Sequence, residues 1–201
     1  MLGLIALLGW FALIVQYKLM FDNRQTSLIE MNIRFFSYFT ILTNALVTIY
    51  CTLLLFKTPT RWERFFSRPT VTTAVTLYIA VVGFIYNIIL RFLWSPTGMQ
   101  RVVDELLHSI IPLAFVGYWF FFTPTKTLQW KSFLPWLIYP SCYCLFILVR
   151  GSFSAFYPYP FMEVNTLGLN QVLLNSLGLT GLFFAFSLLF IGIGKLKNND
   201  K

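Results

Sequence analysis

The chain has 201 residues, of which 58% are apolar, 19% aromatic and 11% charged; that leaves too little polar surface to cover a water-soluble core, so the natural solvent is lipid. Its net charge of +8 comes from Lys and Arg scattered between long apolar runs instead of gathered into one stripe or arm, which sets aside nucleic acid as a partner and makes the cations membrane flanks. Cys51, Cys142 and Cys144 all fall inside apolar runs, with neither disulfide nor zinc spacing, and read as packing residues.

Six apolar runs follow one another near residues 1–20, 35–56, 71–94, 102–122, 133–149 and 171–194, each close to the ~20 residues a helix needs to cross about 30 Å of hydrocarbon. The apolar residues are continuous, without the alternation a barrel lumen imposes, so helices are expected throughout. No Lys or Arg precedes the first run, which argues against a cleaved secretory signal; it is expected to remain as a spanning helix. The expected fold is all-α: a polytopic membrane protein, a six-helix bundle forming one integral domain over residues 1–201.

Six crossings put the N-terminus, the loops at 57–70 and 123–132 and the C-terminal tail on one side. That side carries Lys57, Arg61, Arg64, Arg68, Lys126, Lys131, Lys195, Lys197 and Lys201, against Lys18, Arg24, Arg34, Arg91, Arg101 and Arg150 on the other. The positive-inside rule therefore places both termini in the cytoplasm. The longest loop, residues 150–170, contains Tyr157-Pro158-Tyr159-Pro160-Phe161, an aromatic, proline-stiffened segment suited to the interface.

Polar side chains inside spans are costly unless they face a bundle interior, and here they gather at one depth. Ser37, Thr40 and Asn44 share a face at the outer end of the second span, Thr40 about 8 Å down. Asn87 and Arg91, spaced i, i+4, close the third, and Asp104, Glu105 and His108 open the fourth. Arg150 closes the fifth span at that level, and Gln171 and Asn175 open the sixth. Singly, each has a structural reading: Thr40 bonding its own i−4 carbonyl, His108 as a packing residue, Arg91 snorkelling, the asparagines as interhelical glue. Their shared outer-leaflet depth is what points to a site.

The segments Arg34-Phe35-Phe36-Ser37-Tyr38-Phe39-Thr40-Ile41-Leu42-Thr43-Asn44, His108-Ser109-Ile110-Ile111-Pro112 and Tyr157-Pro158-Tyr159-Pro160-Phe161-Met162-Glu163 resemble, in this order, the pattern of a bacterial family of small six-helix membrane proteins. That family is distantly similar to the androgen-induced membrane proteins of animals, intramembrane threonine hydrolases of fatty acid esters of hydroxy fatty acids. The resemblance implies Thr40, in its Tyr38-Phe39-Thr40 context, and His108, four residues before Pro112, as a catalytic pair. It also implies residence in a bacterial cytoplasmic membrane.

A threonine hydroxyl needs a base within hydrogen-bond reach, and His108 is the sole histidine. Either Asp104 or Glu105 could orient the imidazole, and Asn44, Asn87, Arg91 and Asn175 are candidate oxyanion donors. Arg34 or Arg150, or Arg91 itself, could hold a substrate carboxylate while acyl chains lie in the apolar inner half. The expected function is thus a hydrolase of lipid esters with membrane lipids as partners. The alternative is a non-catalytic lipid-binding or transport protein in which the arginines hold an anionic head group. His108, Asp104, Glu105 and Glu163 make a weak metal-ligand set, so neither a metal nor a cofactor is expected.

Overall fold

The computed structural model describes residues 1–57 and 60–199, with side chains through Lys197. Every regular element among the described residues is helical, and six helices are long and apolar enough to span a membrane: Leu2–Asp22, Phe39–Phe56, Pro69–Phe92, Gly98–Phe122, Trp130–Ser154 and Leu169–Lys197. The chain is an all-α, polytopic membrane protein. Packing groups its helices into two compact units, Met1–Thr127 and Leu128–Lys201, the helical run being broken after Phe122 beside Pro124.

In the first unit α1 (Leu2–Asp22) packs mainly on α3 (Phe39–Phe56), and α5 (Pro69–Ile88) packs on α3 and α7 (Ile111–Phe122). α1 buries Ala6, Gly9 and Ala12 and exposes Leu4, Leu7, Phe11 and Ile14. Small residues let the backbones approach, while the exposed stripe has lipid as its solvent. Inside lie Val47, Leu77, Ile79, Ile111 and Phe115, and Trp119 donates its Nε1–H to Thr73 Oγ1 at 2.8 Å. Thr48, Thr73 and Thr76 bond the carbonyls four residues back, which satisfies each hydroxyl within its own helix.

Three local departures from the expected spans matter for the site. The second run does not begin at 35: Leu28–Phe35 forms a separate helix, α2, and a turn at Phe36–Tyr38 precedes α3. Ser27 caps α2 by accepting from Glu30 N–H, and Met31 and Phe35 are buried while Glu30 and Arg34 pair at 2.7 Å. Ser37 therefore sits in the turn, bonded to Ile33 O at 2.7 Å, and does not share a helical face with Thr40 and Asn44. The third span leaves α-geometry at Ile89 and continues as a 3₁₀ turn, Leu90–Phe92, so Arg91 is not on the same α-helical row as Asn87.

The fourth span is α6 (Gly98–Glu105), a π-helical turn (Leu106–Ile110) and α7. Ile111 N–H reaches back five residues to Leu106 O, and Pro112 has no N–H to offer Leu107 or His108. Two carbonyls are thereby deprived of their ordinary helical donors at the histidine.

The second unit holds a 3₁₀ turn (Trp130–Ser132), α8 (Phe133–Trp136), α9 (Ile138–Ser154), a 3₁₀ turn (Pro160–Met162), α10 (Val164–Leu167) and α11 (Leu169–Asn199). Its core is Ile147, Tyr157, Met162 and Val172. A Cβ on Gly151 would fall inside the Tyr157 ring, so the first tyrosine of the Tyr-Pro-Tyr-Pro-Phe segment uses the missing side chain to lie against α9.

Candidate functional site

His108 stands at the centre of the polar groups that the first unit brings together. Its ring stacks on Tyr86, with centroids 4.1 Å apart and planes at 14°. Nδ1 lies 2.9 Å from Asp104 O and 3.2 Å from Asp104 Oδ1. A carbonyl and a carboxylate are both acceptors, so this network assigns a proton to Nδ1; in the neutral ring the lone pair is then on Nε2. The Tyr86 hydroxyl donates to the other carboxylate oxygen, Asp104 Oδ2. The His108 and Asp104 side chains are only 14% and 8% exposed, so the pairing works in a medium where it is weakly screened.

Of the two carboxylates left open by the sequence, the structure gives Asp104 to the imidazole. Glu105 turns to Arg91, 2.6 Å away, and both meet Ser109: Arg91 Nη2 donates to Ser109 Oγ at 3.1 Å, and Ser109 Oγ donates to Glu105 Oε2 at 3.0 Å. The guanidinium carbon lies 5.2 Å from the Tyr86 ring centroid, a cation–π distance. Tyr86 thus ties the histidine pair and the arginine pair into one cluster.

The asparagines have a specific task. Asn44 Nδ2 donates to Thr40 O at 2.9 Å and to Leu107 O at 3.0 Å. Asn87 Nδ2 donates to Gly83 O at 2.8 Å and to His108 O at 3.3 Å. They reach from α3 and α5 to the two carbonyls that the π turn and Pro112 leave without their usual donors. Each amide has two N–H bonds and both are committed, so neither asparagine is an oxyanion donor in this arrangement. Asn44 and Asn87 here hold the histidine segment from α3 and α5. Gly83 allows the approach: a Cβ there would stand 3.0 Å from Pro112 Cβ and 3.2 Å from His108 O.

In this cluster two buried atoms remain open. Asn44 Oδ1 and Arg91 Nε have no hydrogen-bond partner among the described residues, one an acceptor and the other a donor. Thr40 is buried, one helical turn before Asn44 on α3. Asn44 therefore links the Thr40 and Leu107 carbonyls, while among the described residues the hydrogen bonds of the His108 ring both run from Nδ1 to Asp104.

The other expected site residues have partners of their own. Arg34 is on α2, paired with Glu30. Arg150 and Asn175 belong to the second unit. There Arg150 Nη1 donates to Phe156 O at 3.5 Å and the guanidinium carbon lies 5.1 Å from the Phe156 ring centroid. Asn175 Nδ2 donates to Phe161 O at 2.9 Å and its Oδ1 accepts from Gln171 at 3.0 Å, so it anchors the loop segment after α9. Among the described residues no three His, Cys, Asp or Glu side chains are grouped to hold a metal ion.

Sequence reasoning missed Tyr86 and Ser109. Tyr86 lies within an apolar run, where an aromatic ring passes for packing, although a phenol buried among hydrocarbon needs a partner. Ser109 passes for a helix residue bonding its own backbone. No family model matches the chain, and no curated protein or solved structure matches it.

Proposed function

We propose that the protein is an intramembrane hydrolase of lipid esters, with Thr40 as nucleophile, His108 as general base and Asp104 as the group that orients the base. The observation that carries this reading is the buried His108–Asp104 pair: Nδ1 is fixed on an acidic residue, itself bonded by Tyr86, and Nε2 keeps the lone pair. A packing histidine has no need of a buried carboxylate, whose desolvation is costly, whereas a base that must carry a transient proton does.

In the proposed reaction the Thr40 hydroxyl oxygen bonds to the ester carbonyl carbon as its proton passes to His108 Nε2. The carbonyl oxygen becomes the oxyanion, for which Arg91 Nε, buried and without a partner, is an open donor. The carbon–oxygen bond to the alcohol then breaks, and Nε2 returns the proton to the departing oxygen. Water attacks the acyl-threonine and gives a proton to Nε2. As the acyl carbon releases the Thr40 oxygen, that proton passes to it, so acid and alcohol leave and the side chains are restored. Asn44 Oδ1 offers an acceptor beside α3 for that water or for the threonine hydroxyl. Fatty acid esters of hydroxy fatty acids are the proposed substrate class, supported by the motif resemblance around Thr40 and His108. The motif resemblance supports a bacterial cytoplasmic membrane, and the bias of the cations supports termini inside and the His108 cluster in the outer leaflet.

The test is covalent labelling of the purified protein by a fluorophosphonate, with hydrolysis of a fatty acid ester of a hydroxy fatty acid measured alongside. Wild type should label and turn over; Thr40→Ala and His108→Ala, folded in detergent, should each lose about 1,000-fold or more. Turnover retained in folded Thr40→Ala overturns the nucleophile. Absence of label and turnover in wild type, with tight binding of the same lipid, identifies the non-catalytic lipid-binding protein instead.

A further inference from the structure

We infer that the short helix between the second and third spans, α4 (Arg61–Phe66), together with its flanks, is an interfacial platform that binds anionic phospholipid head groups. It belongs to the leaflet opposite the His108 cluster. The hydrolase reading plays no part in this inference.

The placement comes first. α3 begins beside the site at Phe39 and ends at Phe56; its 18 residues carry the chain about 27 Å. α5 begins at Pro69 and returns to Tyr86 and Asn87. α4 connects the far ends of both and so lies at the other membrane boundary. It is held there firmly: Phe66 is buried against the Tyr50 ring at 5.9 Å, and Thr72 Oγ1 on α5 donates to Phe66 O at 3.4 Å. Thr60 caps the helix by accepting from Glu63 N–H.

The exposed face has the composition of a lipid-binding surface. At 100° per residue Arg61, Trp62, Arg64 and Phe65 fall on one arc of the helix and Glu63 on the other. Trp62 is 66% exposed and Phe65 43%. Lys57, Arg61, Arg64 and Arg68 are exposed as well, and Arg68 lies 5.9 Å over the Phe65 ring. Among the described residues none of these four cations has a carboxylate partner. The patch is therefore an uncompensated cluster of cations interleaved with aromatic rings at the end of two spanning helices. A soluble polyanion would satisfy the cations and leave Trp62 and Phe65 in water. An anionic leaflet satisfies both, with phosphates on the guanidinium groups and the rings at headgroup depth.

The experiment uses the full chain in neutral detergent and follows its melting temperature with added phosphatidylglycerol or phosphatidylcholine at equal mole fraction. Phosphatidylglycerol should raise the melting temperature by about 5 °C more than phosphatidylcholine at low ionic strength. That difference should shrink in 0.5 M salt, as charge pairing at a surface does. The triple variant Arg61→Gln, Arg64→Gln, Arg68→Gln should lose the difference between the lipids. Trp62→Ser should reduce the gain from both. Equal effects of the two lipids on wild type, a difference indifferent to salt, or a triple variant that keeps it would overturn the inference. So would a short RNA that reproduces the full gain in wild type and in Trp62→Ser. The lipid and salt comparison on wild type stands even if the triple variant fails to fold.

Discussion

His108 meets Asp104 at Oδ1 and Tyr86 donates to Oδ2, and this arrangement makes Tyr86 the informative residue of the cluster. Its ring fixes the imidazole plane by stacking, and its hydroxyl fixes the carboxylate that holds the imidazole. The two roles separate in Tyr86→Phe, which keeps the stack and removes the hydroxyl. A positioning role through Asp104 predicts that kcat for ester hydrolysis falls about tenfold while KM stays within about twofold, because the hydroxyl touches the base's partner and not the substrate. Tyr86→Ala should cost more than Tyr86→Phe in both kcat and melting temperature. Equal kcat in Tyr86→Phe and wild type would reduce the tyrosine to a packing surface. At this scale the sequence was partly legible. The i, i+4 spacing of Asp104 and His108 puts both on one helical face, and the structure pairs them. Glu105 was an equal alternative because proximity along the chain does not show that Arg91 returns on another helix to claim it. Tyr86 was invisible because an aromatic ring within an apolar run reads as packing.

At the scale of the element, the site exists because the fourth span is not a uniform helix. Ile111 N–H passes over Leu107 to bond Leu106, Pro112 offers no N–H, and Asn44 and Asn87 supply the missing donors to Leu107 and His108. The sequence places an apolar run over 102–122 with Pro112 inside it, but it does not distinguish a kink from a π turn. That depends on donors arriving from α3 and α5, which no local pattern contains. For α2 the cause is local instead: the run from 35 reads as one span, yet Ser27 capping and the i, i+4 Glu30–Arg34 pair start and finish a short helix before it. Pro112→Ala tests the fourth span directly. The alanine N–H would compete with Asn87 for His108 O and draw the turn toward ordinary α-geometry, rotating His108 away from Tyr86 and Asp104. Fluorophosphonate labelling should fall about tenfold or more while the melting temperature holds or rises. A variant that labels at the wild-type rate would show that the π turn has no bearing on the histidine.

For the whole molecule, the polar cluster and the cationic helix α4 stand at opposite ends of the same spans, and this polarity should fix how the chain sits in its membrane. Six crossings were legible because hydrocarbon thickness sets a length that composition reveals, and the span ends agree within a few residues with the runs read from the sequence. How the helices group in packing leaves no mark in hydropathy, since it is carried by small residues and backbone approach. Direction across the membrane follows from the cations: Lys57, Arg61, Arg64 and Arg68 mark one face, while the other carries the loop Leu93–Thr97 that leads into α6. Cysteines placed at the exposed positions Thr97 and Ser67 report on the two faces of one unit. Cys142 and Cys144 would first be replaced by serine; Cys51 is buried and stays. In intact cells an impermeant thiol reagent should modify Thr97→Cys and leave Ser67→Cys untouched until the membrane is permeabilised. A further cysteine at Glu163, between the fifth and sixth crossings, should behave as Thr97→Cys does, because two more crossings restore the same side. Labelling of Ser67→Cys alone in intact cells would invert the protein, placing α4 in the outer leaflet and the His108 cluster toward the cytoplasm. The proposed hydrolase would then draw its ester substrate from the inner leaflet, and the cations of α4 would meet whichever anionic lipids face outward.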